Sequence, residues 1–407
     1  MNTSSFPTNE AAARASIKAI AGGLCASLVG IGLARFAYTP LIPSLIEAHW
    51  FSVSDVIYLG AANLMGYLVG ALMGRPLARH VSASTVLRLM MLLASAAFFA
   101  CAFPLSVSWF FVWRFLSGLA GGSIMVLVAS TVLPHIPVNR KGIAGGAIFL
   151  GIGVGVAASG TLVPLLMHSG LRTTWLGLGA LSLLLSLVSW TFWPHTLPTG
   201  KAASATHKTA LQKDATVSLN ILFVQYALMA VALVPMMVFL VDYVARGLGL
   251  GAHQASLFWI VYGVGAMAGP MLYGALADRI GPAPTTHLVL WLQAAALGVM
   301  LLSQQHLVLI VATFVVGTFP PGIVPITLGR LHHMLASDAA AQNAAWSRAT
   351  TVFASFQALA GYGYSYLFSG SGGNYHLLLM VAIGALLLAV LADGVKKILS
   401  GKGGRFL

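Results

Sequence analysis

Apolar residues in this chain gather into runs of about 20 or more, broken by short polar turns. Inside the runs, stretches such as LSLLLSLVSW and LLLMVAIGALLLAVL show no alternation at period two. A helix that crosses the hydrocarbon core of a bilayer needs about 20 mostly apolar residues. The runs predict twelve such helices, at 17–46, 53–78, 83–105, 107–133, 142–168, 171–194, 218–246, 252–277, 284–304, 307–331, 340–368 and 374–398. Strands could span lipid only as a closed barrel, whose strands alternate apolar and polar residues, so helices are the reading. The polar stretch at 195–217 parts the chain into two sets of six. The expectation is therefore an all-α integral membrane protein with two six-helix bundles, at 1–194 and 218–407, joined by a linker at 195–217.

Composition supports lipid as the outer solvent. Of 407 residues, 58% belong to the AVILMFWYC set and only 7% are charged, against the roughly 25% charged residues of a soluble domain. The 44 glycines suit close packing of membrane helices. The net charge of +13 does not point to nucleic acid, because the basic residues lie between apolar runs and form no patch on a soluble module. Cys25 and Cys101 are too few for a disulfide framework or a metal centre. Residues 1–15 are polar, and the first apolar run is too long for a cleavable signal peptide.

The basic residues orient the chain. With the N-terminus inside, sixteen Lys and Arg fall in cytoplasmic segments. Only Arg172 and Arg246 fall in outer loops, while Arg35, Arg114 and Arg348 lie within spans. This bias places both termini in the cytoplasm. A duplication is also visible, since Gly74 and Arg79 recur 200 residues later as Gly274 and Arg279. Repeats of this kind place a substrate site at their interface, near the bilayer midplane.

Between the eighth and ninth spans stands Gly274-Ala275-Leu276-Ala277-Asp278-Arg279-Ile280-Gly281. It resembles the G-x-L-A-D-R-x-G loop of the major facilitator superfamily, and Arg114-Phe115-Leu116-Ser117-Gly118 resembles the R-x-x-x-G element of the fourth helix there. The glycines at 151, 153, 155 and 160 resemble the glycine-rich fifth helix of exporter-type members, without their Gly-Pro pair. The string from Gly32 to Pro43, with Gly361 to Phe368, is similar to the YbfB/YjiJ-type branch. The resemblance implies the major facilitator fold, transport by alternating access, and proton or ion coupling. It implies gating roles for Gly274, Asp278 and Arg279, with Asp278 accepting hydrogen bonds from the start of the fifth span near Gly142 as a cytoplasmic latch. Gly274 would allow close helix packing there. The first-half copy has Ala78 where the acid is expected, so the latch rests on the second copy.

Arginine inside a membrane is costly and usually functional. Arg35 lies slightly past the middle of its span toward the outside, and Arg114 in the outer half of its own. The acidic residues fall near the interfaces, so neither arginine has an acid at its level. One reading makes both contacts for an anionic substrate in a water-filled cavity. The other has each bond helix-end carbonyls or pair with an interfacial acid, as Arg114 could with Asp55 or Glu47. Tyr38 and Thr39, one turn from Arg35, share its helical face, and Asn63, Gln225, Tyr226, Tyr262 and Gln357 are midplane polar groups that could orient a substrate, each also able to serve as an interhelical bond. Prolines 235, 270, 320, 321 and 325 would kink their helices.

No catalytic cluster, metal site or nucleotide-binding loop stands out, so no enzyme activity and no cofactor are expected. The leading expectation is a secondary transporter of a small organic anion, a monomer in the bacterial inner membrane whose partners are its substrate, lipid and protons. The alternatives are an exporter of hydrophobic or drug-like compounds, favoured by Met229, Met236, Met237 and Met267, and a non-transporting membrane sensor or scaffold.

Overall fold

The computed structural model describes residues 9–137, 141–194, 213–335 and 339–401. These residues are helical almost throughout. The first apolar run is broken: α1 (Asn9–Ser27) passes into a π-helical turn (Leu28–Leu33), a 3-10 turn (Phe36–Leu41) and a short α2 (Ile42–Glu47). Then follow α3 (Val53–His80), α4 (Ala83–Cys101), α5 (Val107–Val132), α6 (Lys141–Met167) and α7 (Leu171–Val188). After the linker come α8 (Lys213–Asp242), α9 (Gly251–Ile280), α10 (Pro282–Leu302), α11 (His306–Met334), α12 (Ala339–Gly370) and α13 (Tyr375–Gly401). The 195–217 linker lies mostly outside the described residues.

Eleven of these segments are long and apolar enough to cross a membrane. The helix expected as the eleventh crossing, α12, is 32 residues long but falls outside that set. Its sequence explains this: Gln342, Ser347, Arg348, Thr350, Thr351 and Gln357 dilute its apolar face. It packs against α3 and α8, which bury Gln357 and partly cover Gln342, Ser347, Thr350 and Thr351, while Arg348 stays exposed.

Serine caps set several helix starts. Ser52, Ser82 and Ser106 accept the backbone N–H of Asp55, Thr85 and Trp109 at 3.1, 3.2 and 3.0 Å. The α9–α10 turn is made by Gly281 at φ 88°, followed by Pro282 at the first turn of α10.

Glycines decide which helices touch at backbone distance. A Cβ on Gly66 or Gly70 would sit 1.9 or 2.0 Å from the carbonyl oxygens of Phe115 and Leu119 on α5. In return, a Cβ on Gly118 or Gly122 would sit 2.0 Å from those of Asn63 and Tyr67 on α3. The same contact recurs 199 residues on. Gly265 and Gly269 of α9 meet Phe314 and Thr318 of α11, and Gly317 meets Tyr262. The duplication read from Gly74 and Gly274 is thus carried more fully by packing glycines.

Among the described residues, hydrogen bonds join the two halves of the chain from Thr39 to the Met237 carbonyl at 2.9 Å, between Ser54 and Ser369 at 3.2 Å, and from Trp259 to Ser159 at 2.8 Å. Each lies toward the side of the 48–52 turn, which the charge bias orients outward. Helices α6 and α9 meet there too, Gly153 against Met267 and Gly160 against Ile260.

Gly118→Ala should destabilise the protein by about 1–3 kcal/mol, because a Cβ there meets rigid backbone. Gly145→Ala, where a Cβ would meet nothing within 4 Å, should be neutral or stabilising. Thermal unfolding of both variants in detergent checks the contrast.

Candidate functional site

The site forms where the first crossing abandons α-helical hydrogen bonding. Gly30 and Gly32 precede the break and Pro40 follows it within the 3-10 turn. The Ala34 N–H reaches back to the Val29 carbonyl at 3.0 Å, a π-type bond, and Arg35 caps the following turn. Gly32 can lie here because Gly151 and Gly155 of α6 offer bare backbone, a Cβ on Gly32 standing 2.9 Å from each. These α6 glycines therefore serve packing, on the first crossing at 151 and 155 and on α9 at 153 and 160.

The break frees the Ala34 carbonyl, and two donors on α5 take it. Arg114 Nη1 donates at 2.9 Å and Ser117 Oγ at 3.1 Å. The Arg114 guanidinium also lies over the Tyr38 ring at 4.1 Å, and Tyr38 donates its hydroxyl to the Val56 carbonyl at 2.7 Å. Of the two sequence readings, Arg114 follows the one that bonds a helix-end carbonyl. It does not pair with an interfacial acid: Asp55 accepts the Ser52 hydroxyl at 2.7 Å and Glu47 is exposed. Asn63 donates to the Arg114 carbonyl at 3.3 Å and to Ser117 at 3.4 Å, so it too is a packing group.

Arg35 is different. Its guanidinium stands 4.9 Å from the Tyr67 ring and 5.6 Å from the Phe36 ring, yet its buried Nε and Nη2 have no hydrogen-bond partner. Tyr262 stacks on Trp259, centroids 5.0 Å apart and planes 5° from parallel, and Trp259 faces Phe36 at 6.2 Å. The buried Tyr262 hydroxyl also lacks a partner. Among the described residues, unpartnered donors thus stand in both chain halves, linked by the Phe36–Trp259 contact, and an acceptor with negative charge would suit them.

A family model described as an uncharacterised MFS-type transporter, YbfB, matches residues 27–394. The chain belongs to this family. It is accordingly a multi-pass membrane protein of a transporter family.

The family motif on α9 has a different setting from the expected one. Asp278 and Arg279 are exposed, and the Asp278 carboxylate makes no hydrogen bond or ion pair with a described residue. Residues 138–140, just before α6, lie outside the described set. A Cβ on Gly274 would meet nothing within 4 Å, so close helix packing does not explain this glycine. The latch partner expected near Gly142 adjoins residues outside the described set.

The other expected site residues separate. Gln225 is fully engaged, donating to the Ala389 carbonyl at 2.8 Å and accepting from Arg330 at 2.5 Å. Arg330, counted in the sequence as a cytoplasmic residue, is thus buried inside the helix packing. Tyr226 packs on Phe353 at 4.6 Å and Trp346 at 6.3 Å. Gln357 approaches the Met237 sulfur at 4.0 Å while its Oε1 is unpartnered. Arg246, expected in an outer loop, closes a π-helical turn after α8 and holds the buried Asp242, which also accepts the Tyr375 hydroxyl at 2.6 Å.

Tyr67 and Trp259 were not singled out in the sequence. Tyr67 lies four residues after Asn63, on the same helical face, which is the signal that could have found it. Trp259 offered none, since it depends on a partner 100 residues away.

Ser117→Ala should cost about 1 kcal/mol, and Arg114→Gln more, about 1.5–3 kcal/mol, since the bond it removes is charge-assisted. Unfolding in detergent measures both. Asp278→Asn should change stability by no more than about 0.5 kcal/mol in the same assay, as an exposed substitution without partners does.

Proposed function

We propose that this protein is a secondary active transporter that moves a small organic anion by alternating access, with Arg35 as the main charge contact. The observation that carries the reading is the Arg35 guanidinium, whose buried Nε and Nη2 have no partner of their own. Tyr262 supplies a further donor, and Tyr67 and Phe36 wall the cation with aromatic surface. Arg114 and Tyr38 hold the broken first crossing in place, and Gln225, Tyr226 and Gln357 support the surrounding helices. In this reading α12 is the crossing that completes the twelve, with Gln357 turned into the protein. Six helices before the 195–217 linker and six after it form the two moving bundles. Both termini face the cytoplasm of a bacterial inner membrane, and the unit is a monomer. Asp278 would latch the cytoplasmic side in another conformation, when the start of α6 comes within reach.

The exporter reading leaned on four methionines. Met229, Met236 and Met237 are buried in helix packing, and Met267 lies against Gly153, so these side chains are accounted for without a lipophilic ligand.

The test is a thermal-shift screen of purified protein with benzoate, pyruvate, succinate and citrate against tetraphenylphosphonium and ethidium. At least one acid should stabilise the protein. Arg35→Lys should weaken that binding, because an ammonium lacks the bidentate fork. Arg35→Gln should nearly abolish it, a loss of roughly 2–5 kcal/mol. A folded Arg35→Gln protein that binds the same acid as tightly would end the anion reading.

A further inference from the structure

Among the described residues, three buried donor atoms have no acceptor: Nε and Nη2 of Arg35 in one half of the chain, and the Tyr262 hydroxyl in the other. The aromatic faces of Tyr67 and Phe36 attract the cation but leave these N–H groups unbonded. The four acids whose side chains are described stand elsewhere. Asp242 holds Arg246 and Tyr375, Asp55 accepts from Ser52, and Glu47 and Asp278 are exposed. None of these four is placed to neutralise Arg35 when the site is empty.

Alternating access carries the site through a state closed on both sides. Closing an empty site would enclose an uncompensated guanidinium, which a low-dielectric interior disfavours strongly. Closing it around an anion encloses a neutral, hydrogen-bonded pair. The Tyr262 hydroxyl, coming from the opposite half, would then bond the same anion and tie the halves together as they close. We infer that the protein is an obligatory anion exchanger: only the loaded carrier reorients, so each monoanion moved one way is matched by one moved back. The cycle is electroneutral and needs no coupling proton. This rests on Arg35 holding an anion, as proposed above.

The test uses the full chain in proteoliposomes. Uptake of radiolabelled benzoate, pyruvate, succinate and citrate is compared in vesicles preloaded with the same unlabelled acid and in vesicles holding buffer alone. For at least one acid, preloading should speed uptake on the order of tenfold or more, and an uncoupler should not change this. Equal uptake into unloaded vesicles would overturn the exchanger and leave the anion reading standing. If none of the four acids enters preloaded vesicles, the anion reading falls and the exchanger with it.

A second measurement needs no substrate. Val238 is 7% exposed and packs against Gly60 across the outer seam. A Val238→Cys protein should react with an impermeant maleimide only when the outer sides part, with the parent protein as baseline. Labelling without added acid should be slow. Arg35→Gln in that background should speed it on the order of tenfold, since an uncharged empty site can close, while Arg35→Lys should leave it slow. Equal labelling rates in the three folded proteins would overturn the inference.

Discussion

A backbone carbonyl left without a helical partner inside a membrane must find a donor, and Ala34 finds two. Arg114 and Ser117, one turn apart on α5, both bond its oxygen. Water is not at hand in the hydrocarbon core to do the same, so a broken crossing survives only where protein satisfies it. That bond permits the π turn, the 3-10 turn and the placement of Arg35 at the point where they join. Without it the first crossing would favour a regular helix, and Arg35 would be carried to a different face.

The donors must themselves be fixed, and glycine contacts between α3 and α5 do this. Gly118 stands one turn beyond Arg114, and it brings the α5 backbone against the Asn63 carbonyl. Asn63 in turn donates to the Arg114 carbonyl and to Ser117. The ring of Tyr67, one turn further along α3, then comes to lie beside Arg35. One helix pair packed at backbone distance thus positions the cap of the broken crossing and a wall of the site. The second half repeats the pair as α9 and α11, where Gly317 meets the Tyr262 carbonyl and fixes that phenol's helix.

Apolar run length made the membrane class and eleven long apolar helices legible, since lipid imposes a length and a composition that sequence must obey, while the motifs at 32–43 and 274–281 made the family legible. The polar α12 shows the limit of that rule. A helix that packs against others need not be apolar all round, so length and hydropathy do not select it. The glycines at 151, 153, 155 and 160 were legible as packing residues, but their partners were not, because each touches a helix far away in sequence. Gln225 was left with two readings for a related reason. A midplane glutamine looks the same in sequence whether it faces a cavity or, as here, Arg330 and the Ala389 carbonyl.

The two membrane arginines show why depth alone could not assign them. Both lie at similar levels without an acid beside them, yet their situations differ through the backbone. Arg114 is offered a carbonyl because the first crossing breaks next to it, and Arg35, at the break itself, is offered aromatic faces and no oxygen. Arg114 bonds an oxygen from its own half of the chain, and so does Arg330, through Gln225. Those bonds would persist if the halves moved as rigid units. Arg35, by contrast, lies beside Phe36, which faces Trp259 of the opposite half at 6.2 Å. Of these three arginines, Arg35 is the one whose surroundings change when the halves move, which is the property a charge needs in order to link what is bound to which way the protein faces.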